Sequence, residues 1–451
     1  MVIAMNKTDG HLRPEVAPND AEAIRKRAFK KVIWRFLPIL ILAYMINFLD
    51  RTNIGFAALQ MNRDIGLSAA QFGWGAGILF VGYCAFEVPG NLLLYRYGAR
   101  LWLSRIMISW GLVACLMAAV SGPTSFYVLR FILGVAEAGF FPGVAFFLSS
   151  WFPSEYRARI LSWLLVAIPV SSLIGGPLGG LLLGMDGLWG LAGWQWLFII
   201  EGAPAVIIGA VLMGVMTNTP QQANWLTAEE KSVIIGSLRP QEGERTVSHF
   251  PAALRDVRVW VCAVIYLGFT VGSYGIQIWM PLILKEYGLT NLQIGAVTAI
   301  PYFIASVGMI LWARVADRSG KKAENLTLCC ALAVAGFLIA LVPGRMDLAL
   351  LGITTALLGV TAARGIFWAI PTQFLTGIAA AGGIAFINTI GTTGGFFGPA
   401  IVGALKELTG SFTVGLLAMA GFLCMSTLFA FLLVRRVRNE PTASTELQKV
   451  Q

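Results

Sequence analysis

Charge is what this sequence has least of. Asp, Glu, Lys and Arg make up only 12 % of its 451 residues, against roughly 25 % in a soluble domain that must meet water with polar surface. With 57 % hydrophobic residues and a mean hydropathy of +0.74, that deficit excludes an ordinary soluble protein. Histidine is nearly missing: His11 and His249 are the only two, in a polar tail and a polar loop. Proton handling within the apolar part therefore rests on carboxylates. Cysteine is too scattered for a disulfide framework. Cys84, Cys115, Cys262, Cys329, Cys330 and Cys424 all lie in apolar runs, where thiols act as small hydrophobic fillers. Neither a redox role nor a metal site is expected from them. The glycine-rich runs 175–180 and 394–399 follow no strand and lead to no Lys in the phosphate-loop position. With no ATP site and no hydrolytic triad, neither an enzyme nor a cofactor is expected. Residues 1–27 are polar and mixed in charge, without the apolar core of a cleaved signal peptide.

What the chain does have is long apolar runs. They fall at 34–57, 72–94, 101–119, 125–149, 159–183 and 194–216, then at 259–283, 292–316, 325–343, 347–372, 381–404 and 412–434. Each is near the roughly 20 residues that cross a bilayer. In lipid the backbone must satisfy its own hydrogen bonds, so the spans are helices; a barrel would show alternating segments of about ten residues. The predicted fold class is therefore an all-α membrane protein of twelve transmembrane helices. The expected organisation is an N-terminal segment over 1–33, a six-helix bundle over 34–216, a polar linker over 217–258, a second six-helix bundle over 259–434 and a tail over 435–451.

The net charge of +10 suggests a nucleic-acid partner only until its placement is considered. Basic residues collect in alternate loops: Arg25, Lys26, Arg27, Lys30 and Lys31 before the first span, Arg96, Arg100 and Arg105 after the second, Arg157 and Arg159 after the fourth. Lys231, Arg239, Arg245, Arg255 and Arg258 follow in the linker, then Arg318, Lys321 and Lys322, and finally Arg435, Arg436 and Arg438. This alternation predicts a lipid bilayer as partner, no nucleic acid, and both termini in the cytoplasm.

The chain also repeats itself. Gly66-Leu67-Ser68 with Gln71 and Gly73 matches Gly288-Leu289-Thr290 with Gln293 and Gly295; Arg96 and Gly98 match Arg318 and Gly320; Gly176-Pro177 matches Gly398-Pro399. Every pair is 222 residues apart. Two related halves predict a site at their interface near the midplane, with rocking between them giving alternating access.

The loop Ala316-Asp317-Arg318-Ser319-Gly320-Lys321-Lys322 resembles the cytoplasmic signature of the major facilitator superfamily. Its counterpart in the first half, 94–100, carries Tyr95 where an aspartate is usual. The runs 47–55 (Asn47 to Gly55) and 130–138 (Arg130 to Ala138), with Phe86-Glu87-Val88-Pro89, Phe367-Trp368-Ala369-Ile370-Pro371 and Ile387-Asn388, are similar to the anion:cation symporters of that superfamily, nearest the branch that takes up tartrate, nicotinate and hydroxyphenylacetate. The resemblance implies a secondary transporter that needs no second subunit and carries a small carboxylate with protons across a bacterial inner membrane. It implies gating roles for Arg96, Asp317 and Arg318, and contacts to substrate from Tyr274, Gln277, Trp368 and Asn388.

The residues support this independently. An ionisable side chain near the centre of a span costs about 2.5–3.5 kcal/mol on insertion scales, so each one needs a reason. Asp50, Arg51, Arg130 and Glu137 all lie well inside their spans. Arg51 and Arg130 suit an anion because guanidinium is a permanently charged fork that matches a carboxylate. Either one would grip the substrate, or hold a nearby acid until substrate arrives. Asp50 and Glu137 are the proton-coupling candidates. Glu137 lies seven residues from Arg130, roughly 10 Å along one helical face, too far for a direct pair but close enough to share a cavity. The bland alternative is that the four charges neutralise one another in structural pairs. Glu87 and Glu201 read as structural, and Arg364 as equally suited to a site or to reaching toward the membrane surface. The competing function is a proton-driven drug or metabolite antiporter. Against it, the paired glycines follow Pro177 after one residue rather than after two, and two central arginines suit an anion.

Overall fold

The computed structural model describes residues 18–238, 255–371, 374–375 and 377–439, and every regular element among them is a helix. The first half contains α1 (Pro18–Asp64), α2 (Ala69–Tyr97), α3 (Ala99–Leu116), α4 (Pro123–Glu137) continued by α5 (Phe140–Ser149), α6 (Ser154–Leu165) continued by α7 (Ala167–Leu182), and α8 (Gly193–Val215). A short helix, α9 (Ala228–Ser237), lies in the polar stretch between halves. The second half contains α10 (Val257–Lys285), α11 (Asn291–Ser319), α12 (Lys322–Ile339), α13 (Met346–Phe367), α14 (Gly377–Thr392) continued by α15 (Gly394–Thr409), and α16 (Thr413–Asn439). Among the described residues eleven stretches are long and apolar enough to cross a membrane. The α14–α15 pair takes the remaining place in a twelve-span arrangement.

Four spans differ from their apolar runs, the fifth by starting at Ser154 and being interrupted at Val166. The first helix begins at Pro18, sixteen residues before the run starts at 34. Its polar extension is held by packing: Phe29 stacks on Tyr156 at 4.8 Å and on Phe152 at 5.9 Å. The run 125–149 predicts one continuous helix, yet the helix breaks at Ala138–Gly139, where Gly139 adopts a left-handed conformation with φ +82°. The break falls directly after Glu137. The eleventh span is broken at Thr393, between the two 16-residue helices α14 and α15. Residues 239–254 of the expected linker lie outside the described residues.

The 222-residue repeat has a structural meaning at each position. Gly66 and Gly288 carry φ of +68° and +79°, conformations that a Cβ disfavours. Ser68 and Thr290 cap α2 and α11, and Gln71 and Gln293 complete the reciprocal capping boxes. Gly73 and Gly295 are points where the halves touch. A Cβ on Gly73 would stand 2.4 Å from the Pro399 carbonyl oxygen, and one on Gly295 would stand 2.5 Å from that of Gly176.

These close crossings lie on one side. Gly55 against Ile278, Gly77 against Phe396 and Gly180 against Asn291 fall, like the others, toward the ends of the spans that carry the Gly66 and Gly288 turns. On that side the Glu407 carboxylate, from the second half, accepts hydrogen bonds from the Ser68 hydroxyl at 2.6 Å and the Ala70 N–H at 2.8 Å. Toward the opposite ends Leu92, Tyr95 and Val315 are 68 %, 79 % and 57 % exposed. Among the described residues, these glycine crossings between the halves lie on the Gly66–Gly288 side.

Candidate functional site

Tyr44, Asn47 and Arg51 fall at helical spacing on one face of α1. Arg51 Nε donates to Glu137 Oε2 at 2.8 Å, and Asn47 Nδ2 reaches the same oxygen at 3.4 Å. The Glu137 side chain is fully buried, whereas that of Arg51 retains 12 % of its surface. Glu137 Oε1 has no hydrogen-bond partner. The Arg51 guanidinium lies over the Tyr83 ring at 4.9 Å and near Phe48 at 5.8 Å, so aromatic faces complete its surroundings. Glu137 can enter this arrangement because α4 stops beside it.

The second half brings its own polar set. Tyr274 of α10 packs edge-on against Phe80 of α2 at 4.5 Å, joining the halves beside Arg51. Tyr266 contacts Trp368 at 5.1 Å and stacks on Phe367 at 5.3 Å. Arg364 of α13 donates from Nη2 to Ser273 Oγ at 3.1 Å, its Nε is unpartnered, and it lies within electrostatic reach of Tyr44 and Tyr266. Gln277 is half-buried one turn beyond Tyr274, and Asn388 is half-buried on α14.

The four central charges thus divide into two environments. Arg51 and Glu137 pair directly near Tyr274, which joins the halves. Asp50 and Arg130 are each 1 % exposed inside the first half. Asp50 accepts from the indole N–H of Trp110 and from Asn53 Nδ2, the latter at 3.4 Å. Arg130 makes no direct pair with Glu137, in keeping with the separation expected along α4, and turns to the neighbouring helix. Its Nε and Nη2 donate to the carbonyls of Gly75 and Ala76 at 3.3 and 3.0 Å, fastening α4 to α2. The close crossing explains this: a Cβ on Gly134 would lie 1.9 Å from the Leu79 carbonyl oxygen, so α2 presses on α4 and captures the arginine.

The three loop residues expected to gate are all exposed. Arg96 lies over the neighbouring Tyr97 ring at 5.6 Å, and Asp317 pairs with Lys322 of its own loop at 3.8 Å. Among the described residues, no ion pair joins Arg318 to the first half. Sequence inspection alone passed over Tyr44, Tyr83, Trp110, Tyr266 and Ser273 as polar partners; the available signal was helical spacing from Arg51 and from Tyr274.

The model of the Major Facilitator Superfamily matches residues 40–399. The chain belongs to the major facilitator superfamily. It is a multi-pass membrane transporter. Among its relatives, a protein of Agrobacterium vitis named "Putative tartrate transporter" is 47 % identical over 422 residues, covering 93 % of each chain. A "Quinolone resistance transporter" of Acinetobacter baumannii is 38 % identical over 433 residues, covering 94 % of this chain and 99 % of its own. Among solved structures, a bacterial homologue of the human lysosomal transporter Spinster, captured inward-facing and occupied, superposes with a TM-score of 0.75 at 16 % identity, over 88 % of this chain and 96 % of that one. The first relative places this superfamily member in the tartrate and nicotinate branch.

Proposed function

We propose that this transporter is a proton-coupled symporter for uptake of a small organic anion, tartrate or a related hydroxycarboxylate. The Arg51–Glu137 pair carries the reading. A guanidinium away from water keeps its charge and needs a counter-anion, which Glu137 provides. A substrate carboxylate that takes over Arg51 would leave Glu137 as an uncompensated buried anion, at a cost of several kcal/mol. A proton on Glu137 removes that cost, and Oε1 is open to receive it. Anion and proton then bind as a set. Arg364, with Nε unpartnered, offers a second anchor from the other half. Tyr274, Gln277, Trp368 and Asn388 would contact the hydroxylated body of the substrate. Asp50 is the second proton-coupling carboxyl, and Arg130 supports the site from behind.

The alternation of basic loops supports both termini in the cytoplasm of a bacterial inner membrane. The side opposite the Glu407 contact is then the cytoplasmic one, and Arg96, Asp317 and Arg318 lie there. One chain supplies both halves, so the monomer is the working unit. The name of the Acinetobacter relative favours a second reading, proton-driven export of a drug.

Proteoliposomes separate the two. An inward proton gradient should drive accumulation of labelled tartrate, and a protonophore should abolish it. Glu137→Gln should lose gradient-driven accumulation while retaining tartrate exchange. Uptake indifferent to pH and uncoupler removes symport, and quinolone export without carboxylate uptake installs the antiporter instead.

A further inference from the structure

Leu101, Arg105, Leu112 and Leu116 lie within a sector of roughly 60° on α3. The three leucines are 48 %, 52 % and 54 % exposed, while Leu103, Ile106 and Trp110, on the other side of the helix, are fully buried. That buried side packs on α8, where a Cβ on Gly111 would stand 2.8 Å from the Gly202 carbonyl oxygen. The leucines therefore face lipid, and Arg105 stands among them. Its Cα lies roughly 9 Å inside the start of the span that begins at Ala99. A charge within a span normally turns to the interior or to a partner, and Arg105 does neither. Its guanidinium folds back toward the Gly98 end of the helix and lies over the Trp102 ring at 4.0 Å. Among the described residues it makes no ion pair, its Nε has no hydrogen-bond partner, and neither does the indole N–H of Trp102. Arg100, at the same end, is tied to protein instead, its Nε donating to the Met213 carbonyl of α8 at 2.6 Å. What Arg105 lacks is an anion, and the bilayer is what adjoins it.

We propose that Arg105, braced on Trp102, binds the phosphate of an anionic phospholipid on the membrane face of α3, in the leaflet on the Gly98 side. The planar guanidinium fork matches two phosphate oxygens, and the headgroup layer is the level that its fold-back reaches. The aromatic stack bears on which headgroup fits. Tyr97 stacks on the Trp102 ring at 6.0 Å and Arg105 covers it as well, so the ring offers no cage to a choline ammonium. A phosphatidylglycerol headgroup brings negative charge without a cation of its own, and its acyl chains run along Leu112 and Leu116. Basic loops attract anionic lipid in general; this site differs in depending on one guanidinium. It lies on the outside of the first half, away from the Arg51–Glu137 pair, and stands whatever the transporter carries.

Native mass spectrometry of the purified full-length transporter, released from a neutral detergent, tests it with phosphatidylglycerol, phosphatidylcholine and inorganic phosphate as probes. The native protein should bind phosphatidylglycerol about fivefold more tightly than phosphatidylcholine, the scale of one interfacial cation. Arg105→Gln should remove that preference and leave phosphatidylcholine binding unchanged. Arg100→Gln removes the same charge from the same end of α3 and should keep the preference. Trp102→Leu retains the charge but removes the ring beneath it, and should weaken the same preference; it serves if Arg105→Gln does not fold. Equal losses in Arg105→Gln and Arg100→Gln mean a diffuse surface potential, and an undiminished preference in Arg105→Gln places the lipid elsewhere. No preference in the native protein means that Arg105 only reaches interfacial water. Inorganic phosphate that displaces the lipid marks a site for a soluble anion. Each of these four results overturns the proposal.

Discussion

Arg51 and Arg130 are the same residue type in the interior of one half, and their partners separate their roles. Arg130 satisfies two successive backbone carbonyls of α2, while Arg51 spends one N–H on an acid whose charge can be exchanged. Arg130→Lys leaves a buried carbonyl without its donor, a loss of about 1–3 kcal/mol. It should lower the thermal midpoint and leave the tartrate Kd of the folded protein near native. Arg51→Lys should keep the fold and weaken tartrate binding at least about tenfold, because an ammonium cannot reproduce the planar fork. Thermal unfolding and equilibrium binding on both variants check the pair, and the reverse pattern would move the anion contact to Arg130. Chain position identified all four central charges, and it could not separate them. Neighbouring residues on a helix point about 100° apart, so Asp50 and Arg51 face different partners.

At the scale of elements, α9 shows how a polar stretch becomes part of the fold. Thr227 caps it and Glu230 completes the capping box, as the sequence Thr-x-x-Glu would suggest. Glu230 then does more than cap. It has no exposed side-chain surface and binds Lys31 at 2.7 Å and Arg27 at 3.3 Å, both on the extension of α1. Burial pushes its pKa up, but the Lys31 hydrogen bond, the Thr227 backbone N–H and the two cations outweigh this and hold it below the ordinary 4.5. A depressed folded-state value means that the stabilisation is fully present above pH 4.5 and fades as pH falls through the folded-state value. Amide exchange in 228–237 should therefore be slow and flat above pH 5, after correction for intrinsic rates. It should rise as the solution is acidified below 4.5, and Glu230→Gln should show the fast rate throughout. A flat profile in native protein and variant alike would mean that α9 is held by its apolar face, through Ile234.

At the scale of the molecule, the halves are closed on one side by glycine crossings and by Glu407, which caps α2 from across the interface. The repeat offers no equivalent: 222 residues earlier stands Met185. The latch therefore belongs to one of the two pseudo-equivalent edges. Glu407→Ala should raise the population open on that side severalfold. Spin labels at Leu188 and Leu408, in a background without native cysteines, should then show a longer-distance component in pulsed dipolar measurements. An unchanged distribution would leave closure to the glycine crossings alone. The twelve spans, the two halves and the candidate charges were legible in the sequence, because a bilayer demands apolar runs and taxes every charge within them. The repeat even located the caps and crossing points, since turns and close contacts require particular residues at particular places. What the sequence could not decide was which way each charged side chain turns. That depended on where α4 breaks and on how tightly α2 presses against it. Those contacts join residues far apart in the chain, and only the packed structure assigns Glu137 to Arg51 and Arg130 to the backbone of α2.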